Sequence, residues 1–284
     1  MCIPLFGKIL GILYTLCFIW FAGLGVSRFE LFISTVMFPN SELYFMTIIL
    51  IVASFYASLK GIEAIGRASG IIFTLLSIST VFIIMTVLGE FRYTFLKPIL
   101  TEGLAPVVRF SLYISARTSE IITLYVVSPK IEGCRKKLLF SWVGIFAVIT
   151  VGIMVLLTGV TGEYGDDQIF QLYTLTVIAK FGIFERLDDV LTGIWVLCCF
   201  IQSSFLIFSS VTALEQSFGK VKKVPTAAAV SLGIFLIYIL TSKTVTFFSE
   251  IVSSVFQDII FFSFMIILPI TTAVLNFLRK RRNV

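Results

Sequence analysis

The chain has 284 residues, of which 58% are hydrophobic and 13% charged, and it carries a formal net charge of +6. A soluble domain has about 25% charged residues, so water is not the principal solvent here. Histidine is absent, which removes the commonest metal ligand and the commonest general base near neutral pH; an enzyme, a metal site or a cofactor is therefore not expected.

The predicted elements are membrane helices. A bilayer core takes about 20 residues of helix, and uninterrupted stretches without Asp, Glu, Lys or Arg mark the spans. The first, 9–27, is followed by neither a small-residue cleavage site nor a long polar segment, so it reads as a retained span rather than a signal peptide. Spans 43–59 and 68–89 follow. The segment 91–100 is too short to cross and reads as interfacial.

Next comes a span that hydropathy hides, 103–129. It contains Arg109, Arg117 and Glu120, with Pro106 and the polar run Ser115, Ala116, Arg117, Thr118 and Ser119. Charge counting requires it. Lys and Arg in short loops stay on the cytoplasmic side, and without this span the clusters Lys220, Lys222, Lys223 and Arg279, Lys280, Arg281, Arg282 would both fall outside. With it, the cytoplasmic side collects 14 basic residues against Glu63, Glu132 and Glu215, and both termini are cytoplasmic. Charges at membrane depth are costly and mark ligand or ion pathways more often than structure. A helix interrupted near the midplane is also how secondary transporters turn backbone groups toward a ligand.

Spans 138–162, 190–214, 224–242 and 259–278 complete a predicted total of about eight. Between the fifth and sixth lies an acidic external segment with Glu163, Asp166, Asp167, Glu185, Asp188 and Asp189 against Lys180 and Arg186. Within it, Ile169, Leu172, Tyr173, Thr176 and Val177 fall at helical spacing and predict a helix lying flat at the outer surface. A second external segment, 244–258, mixes Phe and Val with Ser and Glu and could form a similar lid. In span 190–214, Ser203, Ser204, Ser209 and Ser210 are expected to provide interhelical hydrogen bonds and close packing. Gln202 has two donors and an acceptor and is a candidate ligand contact. The five Cys (Cys2, Cys17, Cys134, Cys198, Cys199) are odd in number and lack zinc-site spacing, so they read as free thiols. The 30 Phe are read as packing and lipid-facing material. No phosphate-binding loop or metal-ligand motif is present, and no nucleic-acid partner is expected.

Several local patterns resemble one family, the integral-membrane B subunits of GerA-type spore germinant receptors, in the amino acid/polyamine/organocation permease superfamily. Gly61, Glu63, Ile65 and Arg67 resemble the G-x-E-x-I-x-R opening of its fifth helix. Pro98, Glu102, Gly103, Leu104 and Pro106 resemble the approach to its sixth, which Pro129 closes. Glu185, Arg186, Leu187 and Asp188, then Ile194, Trp195, Val196 and Leu197, resemble the signature at its eighth. Ser119 and Glu120 stand where the family usually has Gly-Glu, Ser115 to Ser119 replace its Phe-Pro-Phe-Gly, and Gln202 replaces a frequent Lys.

The resemblance implies an all-α, LeuT-like or amino-acid-permease-like bundle with a discontinuous helix at 103–129. It implies a subunit in the spore inner membrane that senses an amino-acid-like nutrient, with an A subunit, a C lipoprotein and membrane lipid as partners. The ligand-binding candidates are Ser115, Arg117, Thr118, Ser119, Glu120 and Gln202. The similarity begins at the family's third helix, so the chain reads as a shortened member that would not bind a germinant alone. The alternative is a true amino acid permease.

Overall fold

In a computed structural model of the chain, the structure describes residues 2–37, 44–97, 103–108, 111, 120–131, 136–166, 168–178, 188–242, 263 and 269–270. Helices dominate: α1 (Cys2–Phe32), α2 (Tyr44–Lys60), α3 (Ile62–Val87), α4 (Glu120–Val127), α5 (Lys136–Thr161), α6 (Gln171–Ile178), α7 (Asp188–Phe218) and α8 (Lys223–Thr241), with short turns between them and no strand among the described residues. The chain is an all-α, polytopic membrane protein.

α1, α3, α5, α7 and α8 are long and apolar enough to cross a bilayer, and α2 is a shorter apolar helix of 17 residues. These six match the expected spans 9–27, 43–59, 68–89, 138–162, 190–214 and 224–242. Several overrun them. α1 continues past Ser27 through Arg28 and Glu30, then into a π-helical turn at Ile33–Met37. At 31 residues α7 is about 46 Å long, so Glu215 and Gln216 stand beyond the apolar part. Of the expected span 103–129, the described parts are helical at 105–108 and 120–127. The span 259–278 and the lid 244–258 lie outside the described residues, except for 263, 269 and 270.

Chain punctuation follows the sequence. α2 stops at Gly61, whose φ of 92° is the left-handed conformation that favours glycine and ends helices. Its N–H returns to the Ser58 carbonyl at 3.3 Å. α3 opens on the next residue and carries Glu63 in its first turn, where a negative charge complements the helix dipole. α4 ends in a tight turn, Ser128–Lys130, built around Pro129.

The helices fall into two compact units, 1–65 with 102–130 and 199–284, and 66–101 with 131–198. In the first, α8 packs along α1 and α2 packs against α8. Phe18, Val26, Ile207, Ile234 and Tyr238 are fully enclosed there. In the second, Ile83 and Val87 of α3 meet Leu156, Leu157 and Val160 of α5 and Leu175 of α6. The segment after α3 forms two tight turns at Leu88–Glu90 and Tyr93–Leu96. It is pinned to α5: the Arg92 N–H donates to the Gly159 carbonyl at 2.8 Å, and the Phe91 ring occupies the space a side chain at 159 would need.

α6 buries one face. Leu175 enters the core beside Thr174 and Thr176, while Ile169, Leu172 and Val177 remain exposed. The threonines are buried at little cost because each donates to a carbonyl one turn back, Thr174 to Phe170 and Thr176 to Tyr173.

Candidate functional site

Glu120 is the first described residue of α4. Ser115, Arg117, Thr118 and Ser119, which precede it, lie outside the described residues, as does the side chain of Glu120. One turn further on, Ile122 and Thr123 are buried.

The far end of α4 is tied down twice. Gln216 of α7 donates its side-chain amide to the Val126 carbonyl at 2.8 Å, and Lys130 forms an ion pair with Glu215 at 2.5 Å. Lys130 also lies over the Phe208 ring, 5.3 Å from its centroid. So α4 is fixed at its C-terminal end to the C-terminal end of α7.

Gln202, near the middle of α7, is exposed, and its amide oxygen lies over Gly25 of α1, 3.6 Å from where a Cβ would stand. The neighbouring serines behave differently from expectation. Ser203, Ser204, Ser209 and Ser210 are all buried, which bears out close packing. Their hydroxyls are not the interhelical links, however. Ser204, Ser209 and Ser210 each donate to the carbonyl one turn back in α7, at 2.6, 2.7 and 2.8 Å. Two bonds between helices run instead to backbone carbonyls of α7, from Thr15 to Ser210 at 3.3 Å and from Ser54 to Phe200 at 3.3 Å. A hydroxyl that satisfies itself within its own turn leaves a small, neutral surface against which another helix can close.

A second polar group, at the Thr241 end of α8, was not singled out by the sequence. Ser27 of α1 and Thr241 share a hydrogen bond of 2.6 Å. Tyr238, one turn back, is fully buried with its hydroxyl near Thr47 and Ser242 but in good hydrogen-bond geometry with neither. The Tyr44 ring meets it edge-on at 6.4 Å. Glu30 lies one turn beyond Ser27, half-buried. The available signal was spacing: Ser27 with Glu30, and Tyr238 with Thr241, are three apart and share a helix face.

Comparison with known proteins gives a consistent answer. The profile of a family described as "Spore germination protein" matches residues 4–248. Spore germination protein KB of Bacillus subtilis (strain 168) is 26% identical over 251 residues, covering 84% of this chain and 65% of that protein. Spore germination protein XB of Bacillus anthracis is 26% identical over 175 residues, 60% of this chain and 49% of its own length. Spore germination protein YndE of Bacillus subtilis (strain 168) is 25% identical over 229 residues, 75% and 61% respectively. The chain thus spans between about half and about two thirds of the length of these curated relatives. No solved structure matches it.

Proposed function

Because the chain belongs to the spore germination protein family, we propose that it is a nutrient-sensing membrane subunit of a germinant receptor. The observation that carries this reading is the match of residues 4–248 to that family. An amino-acid-like nutrient has an ammonium and a carboxylate. The Glu120 carboxylate suits the first, and the Arg117 guanidinium suits the second. Ser115, Arg117, Thr118 and Ser119 supply polar groups on the approach, and Gln202 a further donor and acceptor. The receptor acts in the spore inner membrane with an A subunit and a C lipoprotein.

Both termini are cytoplasmic in this reading. Single cysteines in a Cys-free background at Lys222 and within Arg279–Arg282 should react with an impermeant maleimide only after permeabilisation, and those at Asp167 and Glu250 without it. Labelling of the C-terminal cluster on intact cells would overturn the orientation.

The functional test is a deletion. Spores lacking the gene should lose germination toward a defined set of amino acids while still germinating with a non-nutrient trigger, and the restored gene should recover it. Saturable, ion-gradient-dependent amino acid uptake into proteoliposomes, together with unchanged germination in the deletion, would replace the receptor by a permease.

A further inference from the structure

The ends of α2, α4, α7 and α8 enclose a cleft within the first unit, lined by Ser58, Gly61, Lys130, Thr212, Glu215 and Lys223 among others. We infer that it binds the phosphate group of an anionic phospholipid.

Three features point to an oxyanion. Lys130 and Lys223 face the cleft with Glu215 as their one carboxylate, and Glu215 is engaged by Lys130, so the lining retains a positive charge. The N-terminal turn of the 19-residue α8 opens at Lys223, with Lys222 at its cap position and no side-chain cap. Helix starts of this kind receive phosphate oxygens on free N–H groups. The third feature is independent of both. The Thr212 hydroxyl is fully buried in the lining and has no hydrogen-bond partner among the described residues. Ser209 and Ser210 in the preceding turn donate to their own helix, whereas Thr212 keeps its proton for something else. A buried hydroxyl without a partner carries a desolvation cost that a bound acceptor removes.

Phosphate chemistry could come from a lipid headgroup or from free phosphate in the cytoplasm. The headgroup is the better occupant, because the cleft lies where apolar spans end. Tyr56 on α2 and Val224 on α8 stand 60% and 58% exposed close to those ends. Anionic lipid is drawn to basic juxtamembrane segments in general, so specificity has to be shown against nearby lysines that do not line the cleft.

The full chain is reconstituted in nanodiscs of phosphatidylcholine alone or mixed with phosphatidylglycerol. Retained lipid is counted by native mass spectrometry and stability followed by tryptophan fluorescence. Phosphatidylglycerol should be retained and should raise the Tm. Lys223→Gln and the isosteric Thr212→Val should each weaken retention about tenfold, the loss of one charge-assisted contact. Thr212→Ser should restore it, and Lys222→Gln should leave it unchanged. A Tm rise given by inorganic phosphate in phosphatidylcholine discs, abolished by Thr212→Val, would support the oxyanion site but assign it to soluble phosphate. Equal retention of both lipids by the unaltered chain, or equal losses in Lys222→Gln and Lys223→Gln, would overturn the proposal even if a cleft variant failed to fold.

Discussion

Replacing Glu120 by Gln is expected to abolish the nutrient response while leaving normal amounts of protein in the membrane. The substitution keeps volume and hydrogen-bonding capacity and removes only the charge. Glu120 falls within the expected span 103–129, so any cation held there is bound in a medium where electrostatic contacts are stronger than in water. A hydrogen bond to a charged group contributes about 1.5–3 kcal/mol, so half-maximal germination should need at least about tenfold more nutrient. The competing account is an ion pair with Arg117, three residues earlier and within reach if the helix is continuous. Breaking a buried pair is strongly destabilising, so a structural role predicts loss of the protein itself. Membrane abundance read beside germination separates the two. A normal response from a normally abundant Glu120→Gln chain would remove this carboxylate from the mechanism.

The second large effect is expected at Gly23. A side chain there would run into Ile237 of α8, with the two Cβ atoms 2.5 Å apart. Gly11 is in the same position toward Ser217 of α7, and Gly233 approaches Ile19, with a Cβ there 3.2 Å from the nearest side-chain atom. In lipid, helix association depends on this close approach, because there is no hydrophobic drive to replace it. Overpacking costs about 1–3 kcal/mol or more, and the α1–α8 contact is the framework of the first unit. Gly23→Leu should therefore sharply reduce the folded fraction, measured as monodisperse protein on fluorescence size-exclusion chromatography. Gly144→Leu in α5 meets nothing within 4 Å and should leave it unchanged. If both variants behave alike, the close approach of α1 and α8 is not limiting.

Most of the fold was legible because a bilayer imposes a length on every crossing helix, and uncharged runs such as 68–89 report that length directly. Gly61 and Pro129 were legible for a different reason, since backbone conformation restricts which residues fit. Partners across an interface were not. Gly23 and Gly144 look alike in the sequence, and only the helix opposite distinguishes them. The serines of α7 were read correctly as packing residues but wrongly as interhelical donors, because a serine in a helix always has its own carbonyl one turn back within reach. Which residue of α6 packs inward was not legible either: Leu175 enters the core although it lies off the apolar stripe. At the candidate site, the sequence located a costly run of charges around Glu120, yet did not anticipate that Gln202 would lie over Gly25. Which groups converge depends on helix rotation, which periodicity leaves open.

α2 carries one further implication. At its C-terminal end, set by Gly61, Lys60 is folded over the Tyr56 ring, 4.8 Å from its centroid. Aromatic and basic residues of these types anchor at a membrane interface, so this end of α2 holds its depth while the lipid around it adjusts, at a fraction of a kcal/mol for each ångström of mismatch. The elastic state of the membrane thereby becomes part of this protein's conformational energy, and changes in acyl-chain length or order would act on it as a weak effector without touching any ligand site.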